Sequence, residues 1–227
     1  MKHISHRGWK IAGMILIVYV IAGGFLFEVP ALPVIQQSIR NIYFHVGMWF
    51  GMLFILLVAL GFSIRFLLYR LPEDDMKALA AVRTGLLFGI LGLITGMIWA
   101  KFTWGAFWVN DPKLNGVALG MLVYLAYMVL RSSVEEEDKR GRLAAVYNIF
   151  AFVLFFVFVM IIPRMGAASI HPGAEGNPAL SVGDLAPEMR KVFFPAMIGW
   201  FIMAWWLYSL LYRSSRIEDR ISALHNT

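Results

Sequence analysis

The sequence predicts an all-α polytopic membrane protein, a bundle of six transmembrane helices with both termini cytoplasmic. Of its 227 residues 60% are apolar and only 15% are charged, a composition that does not suit a surface surrounded by water. Six apolar segments each approach the roughly 20 residues with which a helix crosses a bilayer. The cationic residues, finally, are concentrated in alternate loops, as the positive-inside rule describes.

The six segments are apolar on every face instead of alternating, which favours helices over the strands of a barrel. The first follows the basic stretch MKHISHRGWK and has no small-residue cleavage site after it, so we interpret it as an uncleaved first helix. The predicted helices lie approximately at residues 9–28, 42–64 (or as far as 69), 84–100, 114–130, 143–162 and 192–212.

The distribution of Lys and Arg predicts which loops lie inside. The N-terminus, residues 65–83, residues 131–142 and the C-terminus hold 14 of the 20 cations, and the other loops hold six. Residues 101–113 and 163–191 are therefore predicted to be outer loops of a single domain that covers residues 1–227. The cations lie between apolar runs and form no stripe with interleaved aromatics, so we predict no nucleic-acid partner. The absence of cysteine excludes thiol redox chemistry, cysteine metal sites and covalent haem attachment through a C-x-x-C-H motif.

Four G-x-x-x-G spacings let helix backbones approach closely and predict a compact bundle. By themselves they say nothing about a ligand. They are Gly47/Gly51, Gly85/Gly89, Gly92/Gly96 and Gly116/Gly120.

Two histidines are placed where they could carry chemistry. His45, in NIYFHVGMWF, lies about one turn inside the outer end of the second helix, and His171, in ASIHPG, lies in the long outer loop. Either one alone is typical of an interfacial or turn residue. Two imidazoles that converge on one face favour a functional role, because ionisable groups at membrane depth are costly.

The short loop FTWGAFWVNDPKLNG is rich in aromatic residues. Trp104 and Trp108 are four residues apart, so a helical loop would present both indoles on one face, although an interfacial belt that includes Trp99 is an alternative. Asp111 and Pro112 suit the N-cap and first positions of the fourth helix.

Haem would suit these residues together. Its iron takes axial histidine ligands, and its propionates pair with cations. A zinc site built from two histidines and one aspartate would leave the tryptophans unused, and a proton relay lacks a chain of ionisable residues through the helices. The available cations are Arg40, Lys101, Lys113, Arg164, Arg190 and Lys191.

The stretch WGAFWVNDPKL resembles the tryptophan-rich WGxxWxWD signature of the haem-handling membrane proteins of cytochrome c biogenesis, the CcmC/CcmF/CcsA family with the WWD loop. The six-helix size and the two flanking histidines resemble its heme exporter protein C (CcmC) branch over the whole chain. One position departs from the pattern: Asn110 stands where the family has its last tryptophan, so that stacking surface is missing or is supplied by Phe107.

The resemblance implies a site and a cargo. Haem b would be a non-covalent, transient cargo, and no catalytic residue or enzymatic reaction on the porphyrin is expected. Gly105 would permit close approach of the backbone. The haem-binding loop would comprise Trp104, Gly105, Trp108 and Asp111, and the axial ligands of the iron would be His45 and His171.

The resemblance also implies a location and partners. The protein would lie in the bacterial inner membrane with its haem site facing the periplasm, and would deliver haem to a periplasmic haem chaperone. It would work with ATP-binding-cassette subunits and a small helper membrane protein. Because only neutral imidazoles ligate iron, haem occupancy would weaken as the pH falls between about 8 and 5.

Two alternatives stay open from the sequence. The first is a subunit of a CcsA-type cytochrome c synthase, which shares the loop. The second is a non-haem transporter or quinone-binding membrane subunit, in which the tryptophans form only an interfacial belt.

Overall fold

The computed structural model describes residues 2–30, 35–165, 169–171 and 185–225, with the side chains of 2–7, 223 and 225 excepted. This part of the chain is helical and contains no β-strand, which confirms the predicted all-α class. A 3-10 helix at Gln36–Asn41 leads into α2. The α-helices are α1 (Lys2–Leu26), α2 (Ile42–Tyr69), α3 (Pro72–Trp104), α4 (Pro112–Ser132), α5 (Glu137–Phe156) and α6 (Pro187–His225).

Six helical stretches among the described residues are long and apolar enough to cross a membrane, as predicted. Most of them extend beyond the predicted segments, because the charged turns that flank an apolar run also continue the helix, whereas the first ends at Leu26 instead of residue 28. Helix α3 begins at Pro72 instead of residue 84, with Pro in its first turn followed by Glu73, Asp74 and Asp75. Proline and carboxylates both suit a helix N-terminus.

Both predicted outer loops differ from expectation. The connection at 101–113 is shorter, because α3 continues to Trp104 and α4 begins at Pro112. Within 163–191, residues 166–168 and 172–184 lie outside the described residues, and α6 begins at Pro187.

Helix α2 lies at the centre of the bundle and packs against α3, α5 and α6, while α1 packs on α6 and α4 on α5. The predicted glycine contacts are present. A Cβ atom at Gly85 would lie 2.6 Å from Leu56, and one at Gly120 would lie 2.5 Å from Phe155. Consecutive helices α3 and α4 pack mainly against other helices, and a cavity remains near the loop that joins them.

A π-helical turn at Val157–Ile161 directly follows α5, and a 3-10 turn at Ile162–Arg164 comes after it. Such π-turns are rare and frequently occur at functional sites. The turn packs against α4, where a Cβ atom at Gly116 would lie 2.3 Å from the backbone oxygen of Phe158.

We expect Gly116→Ala to destabilise the protein by about 1–3 kcal/mol, because its methyl group would overlap a backbone oxygen that cannot rotate away. The matched control is Gly61→Ala in α2, where no atom lies within 4 Å of the added Cβ. The two variants are compared by thermal unfolding in detergent. Equal midpoints for both variants would contradict the packing described here.

Candidate functional site

A largely apolar cavity lies near the loop that joins α3 to α4. It is bounded by the start of α2, the end of α3, the start of α4 and the π-turn, and His171 closes part of it. The cavity has a volume of about 190 Å³ and is partly open. Its polar or aromatic lining includes His45, Trp49, Trp99, Thr103, Trp104, Trp108, Lys113, Arg164 and His171.

His45 lies in the first turn of α2, and its side chain is buried. Its Nδ1 atom is 3.0 Å from the carbonyl oxygen of Gly92 and 3.3 Å from Oγ1 of Thr95. Because a carbonyl oxygen only accepts, we assign the proton to Nδ1, which leaves the lone pair on Nε2. Histidines that bind metals almost always donate their other N–H in this way.

The His45 imidazole fits between α2 and α3 because α3 carries glycines beside it. A Cβ atom at Gly96 would lie 2.6 Å from Cε1 of His45, and a Cβ atom at Gly92 would lie 2.8 Å from the Trp49 ring. This pair of glycines, which the sequence assigned to helix packing alone, therefore also makes room for the imidazole and an indole that line the cavity.

The structure brings His171 close to His45. The centroids of the two imidazoles are 6.3 Å apart, with 45° between the ring planes. Nδ1 of His171 is buried and has no hydrogen-bond partner among the described residues. Burial lowers the pKa of His171 to about 3, and the charge of Lys113 acts in the same direction.

Indole rings surround the two imidazoles. Trp49 and Trp99 meet His45 edge-on at centroid distances of 6.2 and 5.8 Å, and Trp104 lies 5.9 Å from His171. Nε1 of Trp99 donates to Oγ of Ser38 at 3.0 Å. The sequence interpretation missed Trp49, although a position four residues after His45 is on the same helix face.

The predicted helical face that would join Trp104 and Trp108 is wrong. Helix α3 ends at Trp104, where Gly105 has a φ of 82° and donates its N–H to the carbonyl of Lys101. This left-handed conformation suits glycine and closes the helix. Both indoles nevertheless line the cavity, whereas Gly105 does not.

Asp111 has the predicted N-cap role. One carboxylate oxygen accepts from the N–H groups of Lys113 at 2.9 Å and Leu114 at 3.4 Å. The other accepts from Oγ of Ser169 at 2.7 Å and from N–H of Ile170 at 2.9 Å. Burial raises the pKa of Asp111, but these donors outweigh it and hold the pKa below its usual value. The side chain is buried and does not line the cavity.

Two of the six candidate cations, Lys113 and Arg164, line the cavity. Among the others, Arg40 donates to the carbonyl groups of Gly24 and Phe27, and so joins the end of α1 to the 3-10 helix. In the part of the chain that the structure describes, no group of three or more His, Cys, Asp or Glu residues could hold a metal ion, so the zinc alternative gains no support.

The helices and the cavity define a multi-pass membrane protein with a cavity lined by indoles and two imidazoles. The family model described as heme exporter protein C (CcmC) matches residues 2–221, and the chain belongs to this family. That membership confirms the resemblance seen in the sequence. It also gives the protein a haem-handling role in cytochrome c maturation, with haem as the cargo.

Individual relatives agree with the family. The chain is 28% identical over 188 residues to heme exporter protein C of Paracoccus denitrificans, covering 82% of this chain and 77% of that protein. It is 30% identical over 191 residues to heme exporter protein C of Rhodobacter capsulatus, covering 84% and 76%. Over 95 residues it is 33% identical to cytochrome c biogenesis protein CcsA of Prochlorococcus marinus, covering 42% of this chain and 30% of that protein.

We expect the imidazole of His171 to stay neutral as the pH falls from about 8 to about 5, because its pKa lies near 3 instead of the ordinary value of about 6.5. Protons would therefore compete with a metal for His171 only at pH values lower than those predicted from the sequence. The measurement is a ¹⁵N chemical-shift titration of histidine-labelled protein, with His171→Gln to assign the resonance. A titration midpoint near 6.5 would contradict the burial of this ring.

Proposed function

We propose that this protein holds haem b non-covalently in the cavity, with the imidazoles of His45 and His171 as the axial ligands of the iron. The observation that carries the proposal is the pair of imidazoles 6.3 Å apart. Two metal–nitrogen bonds of about 2 Å each would take up most of this distance. The rest corresponds to the distances from each nitrogen to the centre of its own ring.

The hydrogen bonding of the two rings supports this role. The bond from Nδ1 of His45 to Gly92 fixes the tautomer that leaves Nε2 able to ligate, and it restrains the orientation of the ring. His171 supplies a buried nitrogen without a partner among the described residues. A buried polar atom of this kind is costly unless something binds it.

The remaining lining of the cavity suits the rest of a haem molecule. The apolar walls and the indoles of Trp104 and Trp108 match a flat apolar ring. Lys113 and Arg164 provide positive charge in an otherwise apolar site, which suits the two propionates. Gly105 and Asp111 would act on the same loop from outside the cavity, Gly105 by closing α3 and Asp111 by starting α4.

The location and partners that we propose follow from the distribution of charge and from the family. The cation-rich loops would place both termini in the cytoplasm. The single domain would then lie in the bacterial inner membrane, with its cavity open towards the periplasm. From there the protein would deliver haem to a periplasmic haem chaperone, together with ATP-binding-cassette subunits and a small helper membrane protein. We propose delivery and no enzymatic reaction at the porphyrin.

The alternatives have less support. The likeness to the CcsA protein covers 42% of this chain, which favours a shared haem loop more than a shared synthase activity. A non-haem transporter or quinone-binding subunit would have explained the tryptophans as a belt against lipid. Four of the tryptophans, however, line a cavity that two histidines also line.

We expect the purified protein to show a low-spin haem spectrum that is lost in both His45→Ala and His171→Ala, because each substitution removes one axial ligand. Visible spectroscopy after haem titration in detergent measures this. The matched control is His3→Ala near the N-terminus, which should keep the wild-type spectrum. A wild-type protein that takes up no haem, or a spectrum unchanged in both variants, would contradict the proposal.

A second expectation concerns the glycine beside His45. Gly96→Ala should weaken haem binding by roughly 10–100-fold, the usual effect of disturbing the groups that orient a metal ligand, because the new methyl group would displace the imidazole ring. Gly61→Ala is the control, since its Cβ meets no neighbour. Haem affinity is measured by titrating both variants with haem, under conditions in which both are equally stable to unfolding. Wild-type affinity in Gly96→Ala would show that the position of this ring does not determine binding.

A further inference from the structure

We infer that Asp111 is a positioning residue that ties the segment carrying His171 to the start of α4, and that it acts on haem through His171. This inference rests on the proposed function. It departs from the role expected for Asp111 as part of the haem-binding surface, because its buried carboxylate does not line the cavity.

The two oxygens of Asp111 have different partners. Oδ1 accepts the N–H groups of Lys113 and Leu114, which caps α4. Oδ2 accepts from the hydroxyl group of Ser169 and the N–H of Ile170, which lie in the segment before His171. Helix capping would therefore need only one of the two oxygens, and the second is used to hold a part of the chain almost sixty residues away.

The contact continues to His171 itself. Oγ of Ser169, which donates to Asp111, accepts the backbone N–H of His171 at 3.1 Å. The imidazole of His171 then lies against Trp104, at the end of α3, and against His45. A continuous set of hydrogen bonds thus joins the start of α4 to the backbone of the second proposed ligand.

The physical consequence is that the position of the 105–111 loop and the position of His171 are linked. Hydrogen bonds to an ionised carboxylate are about twice as strong as neutral ones, and Asp111 is held ionised by its donors. A change in the loop that displaced Asp111 would also displace Ser169 and Ile170. His171 would then leave the cavity while His45, which is held by α3, stayed in place.

The variant Asp111→Asn separates this role from helix capping. Asparagine is as good an N-cap as aspartate, so its oxygen can still accept from Lys113 and Leu114. Its amide nitrogen would then take the place of Oδ2. Because this nitrogen and the N–H of Ile170 are both donors, no hydrogen bond can form between them. The control is Asn110→Ala. The side chain of Asn110 accepts a hydrogen bond from Asn115 in the first turn of α4.

Two measurements are made on the full-length protein in detergent. The first is hydrogen–deuterium exchange of Ile170 without haem, for which we expect roughly tenfold faster exchange in Asp111→Asn and unchanged exchange in α4. The second is the spectrum of the haem-loaded protein. We expect Asp111→Asn to lose the low-spin spectrum and regain it when free imidazole is added, because imidazole can take the position that His171 has left. Asn110→Ala should behave as wild type in both.

The outcomes separate this inference from the proposed function. If wild-type protein binds no haem, the proposed function fails, and the exchange rate of Ile170 still decides whether Asp111 holds the segment. Wild-type exchange in Asp111→Asn would overturn the inference. It would also be overturned if imidazole failed to restore the low-spin spectrum, since Asp111 would then act on haem by another route, or if Asn110→Ala reproduced both effects.

Discussion

The arrangement of the cavity depends on the space that α3 leaves beside α2 at Gly92 and Gly96. An imidazole buried between two helices needs room and a hydrogen-bond partner, since a buried polar group without one costs several kcal/mol. Gly96 provides the room and the carbonyl of Gly92 accepts the proton of His45. With Nδ1 occupied in this way, Nε2 keeps a free lone pair, and His45 lines the cavity.

The opposite wall of the cavity is built differently. His171 comes from a segment between α5 and α6. The preceding residues Ser169 and Ile170 donate hydrogen bonds to Asp111, and the ring of His171 lies against Trp104. One proposed ligand is therefore held by the packing of two long helices, and the other by a few polar contacts of a loop. Under the proposed function, haem would be released from His171 first, because the contacts of the loop can break without disturbing the helical bundle.

Much of the fold could be predicted from the sequence, because a bilayer requires every backbone polar group to be satisfied within its own helix. Six apolar segments, the Asp111 cap and the shared location of His45 and His171 all follow from local patterns. The end of α3 at Trp104 was not predicted, although a glycine such as Gly105 directly after a helix is a local stop signal. The chain could not reveal which glycine accommodates His45, what the second oxygen of Asp111 binds, or which two cations reach the cavity. These features depend on contacts between distant parts of the chain.

The central claim is that His45 and His171 together hold one iron atom. It is tested most directly by an experimental structure of the haem-loaded protein at a resolution that defines the iron and its ligands. The account predicts haem in the cavity, iron bound on one side by Nε2 of His45 and on the other by the imidazole of His171, and propionates near Lys113 and Arg164. Haem bound outside the cavity, or iron with a ligand other than these two histidines, would contradict it.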